Sequence, residues 1–181
     1  ITSYSIDLAF FEQLILPRLR SAGVTNINLF VDAGMLEKYL ASHLGDGAKK
    51  INANYSITGI HIKGAFHPKM LFLAGKDKGY LSIGSGNITS SGLLYNDEIW
   101  SSFYTAKDHI KTQPIFNSAW LYIQSLSTHC MELNLSKINW IPQYSQWING
   151  LKNIDEVTSI VKDIEYKLSY TQKDNSLYED V

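Results

Sequence analysis

The sequence predicts an α/β domain, on three observations. Helical and strand-like segments alternate early, short strand-like pieces bounded by glycines fill the middle, and 45% of the 181 residues are apolar, enough to bury one core. Ser5-Ile6-Asp7 leads into LAFFEQLILPRLRSAG, where Leu8, Phe11, Ile15 and Leu19 make a helical stripe that Gly23 ends; Pro17 is the place for a kink or an early stop. Val24 to Asp32, VTNINLFVD, is rich in strand formers, Ala33-Gly34 is expected to turn the chain, and MLEKYLASHL reads as a second helix stopped by Gly45. From Asn54 the pieces NYSITGIHIKG, HPKMLFLAG and GYLSIGS read as strands, the last two joined by a hairpin loop from Gly75 to Gly79.

Asp97 to Tyr104 reads as a further strand. In IFNSAWLYIQSL the recurrence of Phe116, Trp120, Ile123 and Leu126 at three- and four-residue steps predicts a helix. Leu133 to Trp147, with Pro142 and closely spaced aromatics, fits no single element. LKNIDEVTSIVKDIEYKLSY is expected to be helical, with Leu151, Ile154, Val157, Ile160, Val161, Ile164 and Leu168 on one broad side, and TQKDNSLYEDV to be a polar, frayed end. No internal repeat or low-complexity tract interrupts this order.

Sixteen Lys and Arg against seventeen Asp and Glu give a net charge of -1, so no global positive field recruits nucleic acid and a polyanion must be held locally. One cysteine, Cys130, excludes an intramolecular disulfide, no Cys/His cluster has zinc spacing, and a reducing cytoplasm is the expected compartment. Apolar runs are too short to span a bilayer and no signal peptide is recognisable, so a soluble protein is expected; the start at Ile1 reads as a processed product or a piece of something longer.

The pattern His-x-Lys occurs twice, as His61-Ile62-Lys63 and His67-Pro68-Lys69. Two residues apart on a strand, a histidine and a lysine share a face and can meet one phosphate, which leaves both pairs open as a catalytic centre. After the second pair come Gly84-Ser85-Gly86-Asn87, then Ile88 to Leu93, then Asn96-Asp97-Glu98.

HPKMLFLAGKDKGYLSIGSGNITSSGLLYNDE resembles the signature of the phospholipase D superfamily: His-x-Lys, four residues, Asp, a short gap, Gly-Ser-x-Asn. The branch it is most similar to is the bacterial phospholipase D-like nucleases, and the opening SYSIDLAFFEQLILPRLRSAG resembles how such domains begin. The resemblance implies a phospholipase D-like domain with a mixed sheet flanked by helices, covering residues 1–105, and leaves 106–181 as a helical extension. It selects His67 and Lys69 over His61 and Lys63. It departs at Ala74, where the family carries its Asp; the nearest acid, Asp77, lies in the expected hairpin loop.

The implied activity is that of a phosphodiesterase needing no metal or other cofactor. A neutral imidazole at His67 could attack phosphorus to give a phosphohistidine. Lys69 and Asn87 could stabilise charge on the transferring phosphate, and Ser85 could add a hydrogen bond. Glu98, at the family's Asn-x-Glu position, could fix the tautomer of the histidine. Ser85 and Asn87 are expected on one face of their strand. Lys76 with Lys78, and Lys49-Lys50, could touch a nucleic-acid backbone. The family builds one site from two such motifs, and this chain has one, so either two copies meet in a homodimer or a second half lies in further sequence. DNA is preferred to RNA as substrate, and relatives of this branch suggest a restriction or phage-defence setting. The alternative is a degenerate dimerisation or nucleic-acid-binding module. Lipid phosphodiesters would need a membrane-facing surface, and no basic amphipathic helix is obvious. His43, His61, His109 and His129 lack partners at useful spacing, and the tryptophans Trp100, Trp120, Trp140 and Trp147 read as core or interface.

Overall fold

Strand alternation sorts the apolar residues onto two faces of one sheet. In a computed structural model that describes residues 1–43, 50–106 and 112–150, with 159–161, 164–166 and 168 beyond them, six strands pair in the order β3-β2-β1-β4-β5-β6. They are β1 (Thr2–Ser3), β2 (Asn28–Asp32), β3 (Ser56–Ile60), β4 (Met70–Ala74), β5 (Lys78–Gly84) and β6 (Trp100–Ala106). β1, β2 and β3 run parallel, and β4, β5 and β6 follow antiparallel, so the sheet is mixed. That is the α/β class with a mixed sheet flanked by helices.

Phe30, Ile60, Leu81 and Phe66 pack on one face with Phe116, Trp120 and Ile123 of α4 (Gln113–Leu126) and Ile138 of α5 (Glu132–Tyr144). Leu29 and Val31, which point the other way, pack with Leu8, Phe11, Leu16 and Leu19. These come from α1 (Leu8–Phe10), a π-turn (Phe11–Ile15) and α2 (Leu16–Ser21), with α3 (Ala33–Ser42) beside them. The π-turn sits just ahead of Pro17, whose ring nitrogen cannot donate to a carbonyl four residues back; the widened turn, closed by the Leu16 N–H on the Phe11 carbonyl, absorbs that loss.

Several expectations are corrected. Ala33-Gly34 does not turn the chain: Asp32 caps α3 by accepting from the Met35 N–H at 3.1 Å, and both residues lie in its first turn. The strand expected from Val24 begins only at Asn28, and that expected from Asp97 begins at Trp100. Leu133 to Trp147, unassigned from sequence, is mostly α5, with Pro142 inside its last turn. The helix expected over residues 151–170 is overturned where the chain is described: β7 (Ser159–Val161) and β8 (Ile164–Tyr166) pair antiparallel. β-Branched Ile160, Val161 and Ile164 favour that outcome. The polar end after Tyr170, and His109, lie outside the described residues.

Candidate active site

The β4–β5 hairpin puts the two halves of the motif side by side. Met70 pairs with Ile83, and the Gly84 N–H donates to the Lys69 carbonyl at 3.0 Å, so His67 and Lys69 lie beside Gly84-Ser85. β6 adds the third piece, since the Ser85 N–H donates to the Ile99 carbonyl at 3.1 Å, which brings Glu98 alongside. Because β1 and β4 are antiparallel, this edge is also where parallel β1, β2 and β3 end, the usual place for a site on an α/β sheet.

His67 is exposed at the end of a loop held at two points by its neighbour: the Phe66 side chain is buried in the core, and its N–H donates to Asp32 Oδ2 at 2.9 Å. Asp32 thus serves α3 with one oxygen and the histidine loop with the other. Asp32→Ala should cost about 2 kcal/mol, from a lost cap and an unpaired N–H; a chemical denaturation curve checks it.

Lys69 is buried, 5% exposed, and its ammonium turns back onto its own neighbour. Nζ lies 2.7 Å from His67 Nδ1, 3.0 Å from Nε2 and 2.9 Å from the His67 carbonyl. Only one ring nitrogen can accept from it, since in the neutral imidazole the other carries the proton. Burial pushes the ammonium below the usual lysine range, and the negative charge of Glu98 partly offsets this. The Tyr4 ring packs 4.7 Å from the His67 ring and 5.9 Å from Lys69 Nζ.

Asn87 is positioned from the other side. Its Oδ1 accepts from the Tyr4 and Ser5 N–H groups at 3.2 and 3.4 Å and from Ser3 Oγ at 3.4 Å. The next residue continues the docking, with Ile88 N–H donating to Ser3 Oγ and Asp7 N–H donating to the Ile88 carbonyl. With its carbonyl committed, Asn87 has the amide nitrogen left to give a ligand.

Ser85 and Asn87 do not share a strand face as expected, because β5 ends at Gly84. Ser85 Oγ instead donates to Glu98 Oε2 and accepts from the Ile99 N–H. Glu98 does not reach His67: its carboxylate is taken up by Ser85 and by Asn96 Nδ2 at 3.3 Å, so within one chain it fixes the Ser85 loop and not the imidazole tautomer. Lys76 and Lys78 stand apart from this cluster. They lie at the hairpin end of β4 and β5, and five residues of strand at about 3.3 Å each put them roughly 17 Å from Lys69. Asp77 shares that end, and Ala74 packs against the core. His61 and Lys63 are exposed after β3.

Sequence reasoning missed Tyr4 and Asp32. The signal for Asp32 was an acid directly before a helical run; for Tyr4 there was none, since its partners lie over sixty residues away. Among the described residues no group of three or more His, Cys, Asp or Glu could hold a metal ion, and no helix is long and apolar enough to cross a membrane. No protein-family model matches the chain and no curated protein matches it, so the family resemblance rests on the motif residues and their placement.

Proposed function

We propose that the protein is a phosphodiesterase of the phospholipase D type, acting on nucleic acid, with His67 as nucleophile. The observation that carries this is the convergence of His67, Lys69, Ser85, Asn87 and Glu98, from three separate segments, at the edge where β1, β2 and β3 end. An imidazole nitrogen attacks phosphorus, the bond to the leaving sugar oxygen breaks, and that oxygen takes a proton from an acid opposite; water then attacks the phosphohistidine and releases His67. The opposing acid is supplied by the histidine of a second copy. Lys69 gates the first step: while its ammonium donates to the ring, the lone pair is occupied, and an arriving phosphate draws it away onto an anionic oxygen. No step calls on a metal. DNA is the favoured substrate, and restriction or phage defence the favoured setting, both by the family resemblance alone.

A second reading, a non-catalytic nucleic-acid-binding or dimerisation module of a larger protein, is favoured by the same Lys69 contact together with Ala74 at the motif's acidic position. Incubating the chain with end-labelled single- and double-stranded DNA in excess chelator separates the two. Cleavage with an acid-labile, alkali-stable phosphoryl adduct on the protein is the expected result. Binding without turnover would establish the module and end the phosphodiesterase reading.

A further inference from the structure

Among the described residues, helices cover only half of the second face of the sheet. α1, α2 and α3 lie over β1, β2 and β3, whereas β5 and β6 present Tyr80, Ser82, Trp100 and Ser102 on that side, with Ser102 Oγ within 2.9 Å of Tyr80 Oη and 3.0 Å of Ser82 Oγ. A second π-turn (Ser91–Tyr95) stands beside them and holds out Leu94 and Tyr95, and Ile99 precedes β6. Tyr95 and Ile99 are 80% and 81% exposed. Together with Tyr80, Leu93 and Leu94 they leave on the order of 650 Å² of side chain in water, most of the roughly 800 Å² one partner gives to a stable interface.

Next to these projecting side chains is a hole. Ile15, Leu71, Tyr80, Ile88, Leu93 and Trp100 line an almost wholly apolar cavity of about 250 Å³, room for one large side chain. Knob and hole on one face are what a two-fold interface requires, because each copy then fills the other. From Ser91 to Ser102 the only charges are Asp97 and Glu98, acids that disfavour a nucleic-acid backbone on this surface. The patch adjoins the candidate site: Ile99 follows Glu98 and binds Ser85 Oγ through its N–H.

The geometry points to this surface, the β5–β6 face with the Ser91–Tyr95 turn and Ile99, as the docking face for a second copy of the chain. Its link to the chemistry rests on the phosphodiesterase reading, in which the second copy brings its own histidine to the site. Tyr95 of each copy enters the apolar cavity of the other.

The test is the mass of the full chain in solution by light scattering, for the wild type, Tyr95→Asp, Ile99→Asp and, as a control on the α4–α5 side, the exposed Met131→Asp. The expected result is a dimer for wild type and control, and monomers for the other two, with dissociation constants raised at least about 100-fold by a carboxylate buried in an apolar contact. Circular dichroism should show all four folded, since the altered side chains are exposed. A monomeric wild type, or a dimer that withstands both patch substitutions, overturns the proposal. Cleavage assays on the same samples keep the two readings apart. A patch-dependent dimer that never cleaves DNA upholds this surface and ends the phosphodiesterase reading, whereas cleavage by a monomer, or by patch variants that remain dimers, does the reverse.

Discussion

His67→Ala is expected to lower DNA cleavage by at least about 10,000-fold while leaving fold and DNA binding nearly unchanged. In the proposed mechanism the imidazole forms the bond to phosphorus, and without it the remaining donors are left to hold the phosphate. Because the ring is exposed and the loop is held by Phe66 and Asp32, removal should cost no more than about 0.5 kcal/mol of stability, the range for ordinary surface changes. Lys69 still has the His67 carbonyl as an acceptor in the variant. The measurement is a single-turnover rate in chelator with a melting curve of the same preparation. The phosphoryl adduct should vanish with the rate. Activity within tenfold of wild type would remove His67 from the mechanism, whatever the fate of the family resemblance.

The hairpin that carries the motif was legible because two independent signals agree there: apolar runs in HPKMLFLAG and GYLSIGS, and glycines at the loop between them. The same hairpin sets Lys76 and Lys78 apart from the cluster. They are near His67 along the chain, but reversal at Gly75, closed by its N–H on the Lys78 carbonyl, carries them to the opposite end of the strands. Over 159–161 and 164–166, the expected helix gave way to strands for a different reason. Ile160, Val161 and Ile164 satisfy a helical period and a pair of short strands equally, and period cannot separate the two in so short a run. Glu98 was given to His67 by motif position; the structure gives it to Ser85, a partner thirteen residues away that no local pattern announces. Tyr4 shows the limit most clearly. It touches His67 with its ring and Asn87 with its N–H, so it joins the two halves of the site, yet in the sequence it is one tyrosine among eleven.

Gly92→Ala is expected to be a strongly damaging single-methyl change near the site, at about 3 kcal/mol and roughly 10 °C in melting temperature for a chain of this size. The cause is contact, not backbone freedom: Gly92 does not lie at positive φ, but a Cβ there would sit 2.5 Å from the Asn87 carbonyl oxygen and 2.7 Å from its nitrogen. Backbone cannot swing aside as a side-chain tip can. The Asn87 peptide would have to move, and with it the bonds of Oδ1 to Ser3, Tyr4 and Ser5 that seat the amide. Gly86 is tied to the same contact from the other side, since its own Cβ would strike the Gly92 carbonyl. Gly34→Ala is the matched control: in the first turn of α3 a Cβ meets only Asp32 Oδ1 at an ordinary 3.5 Å, and the change should be neutral or slightly stabilising. Thermal melts of both variants, with cleavage measured well below the lower transition, separate lost fold from a displaced Asn87. If Gly92→Ala melts within about 2 °C of wild type, then by the size scaling of stability the Asn87 backbone is not held where this packing requires. A folded variant that still cleaves at the full rate would remove Asn87 from the phosphate site.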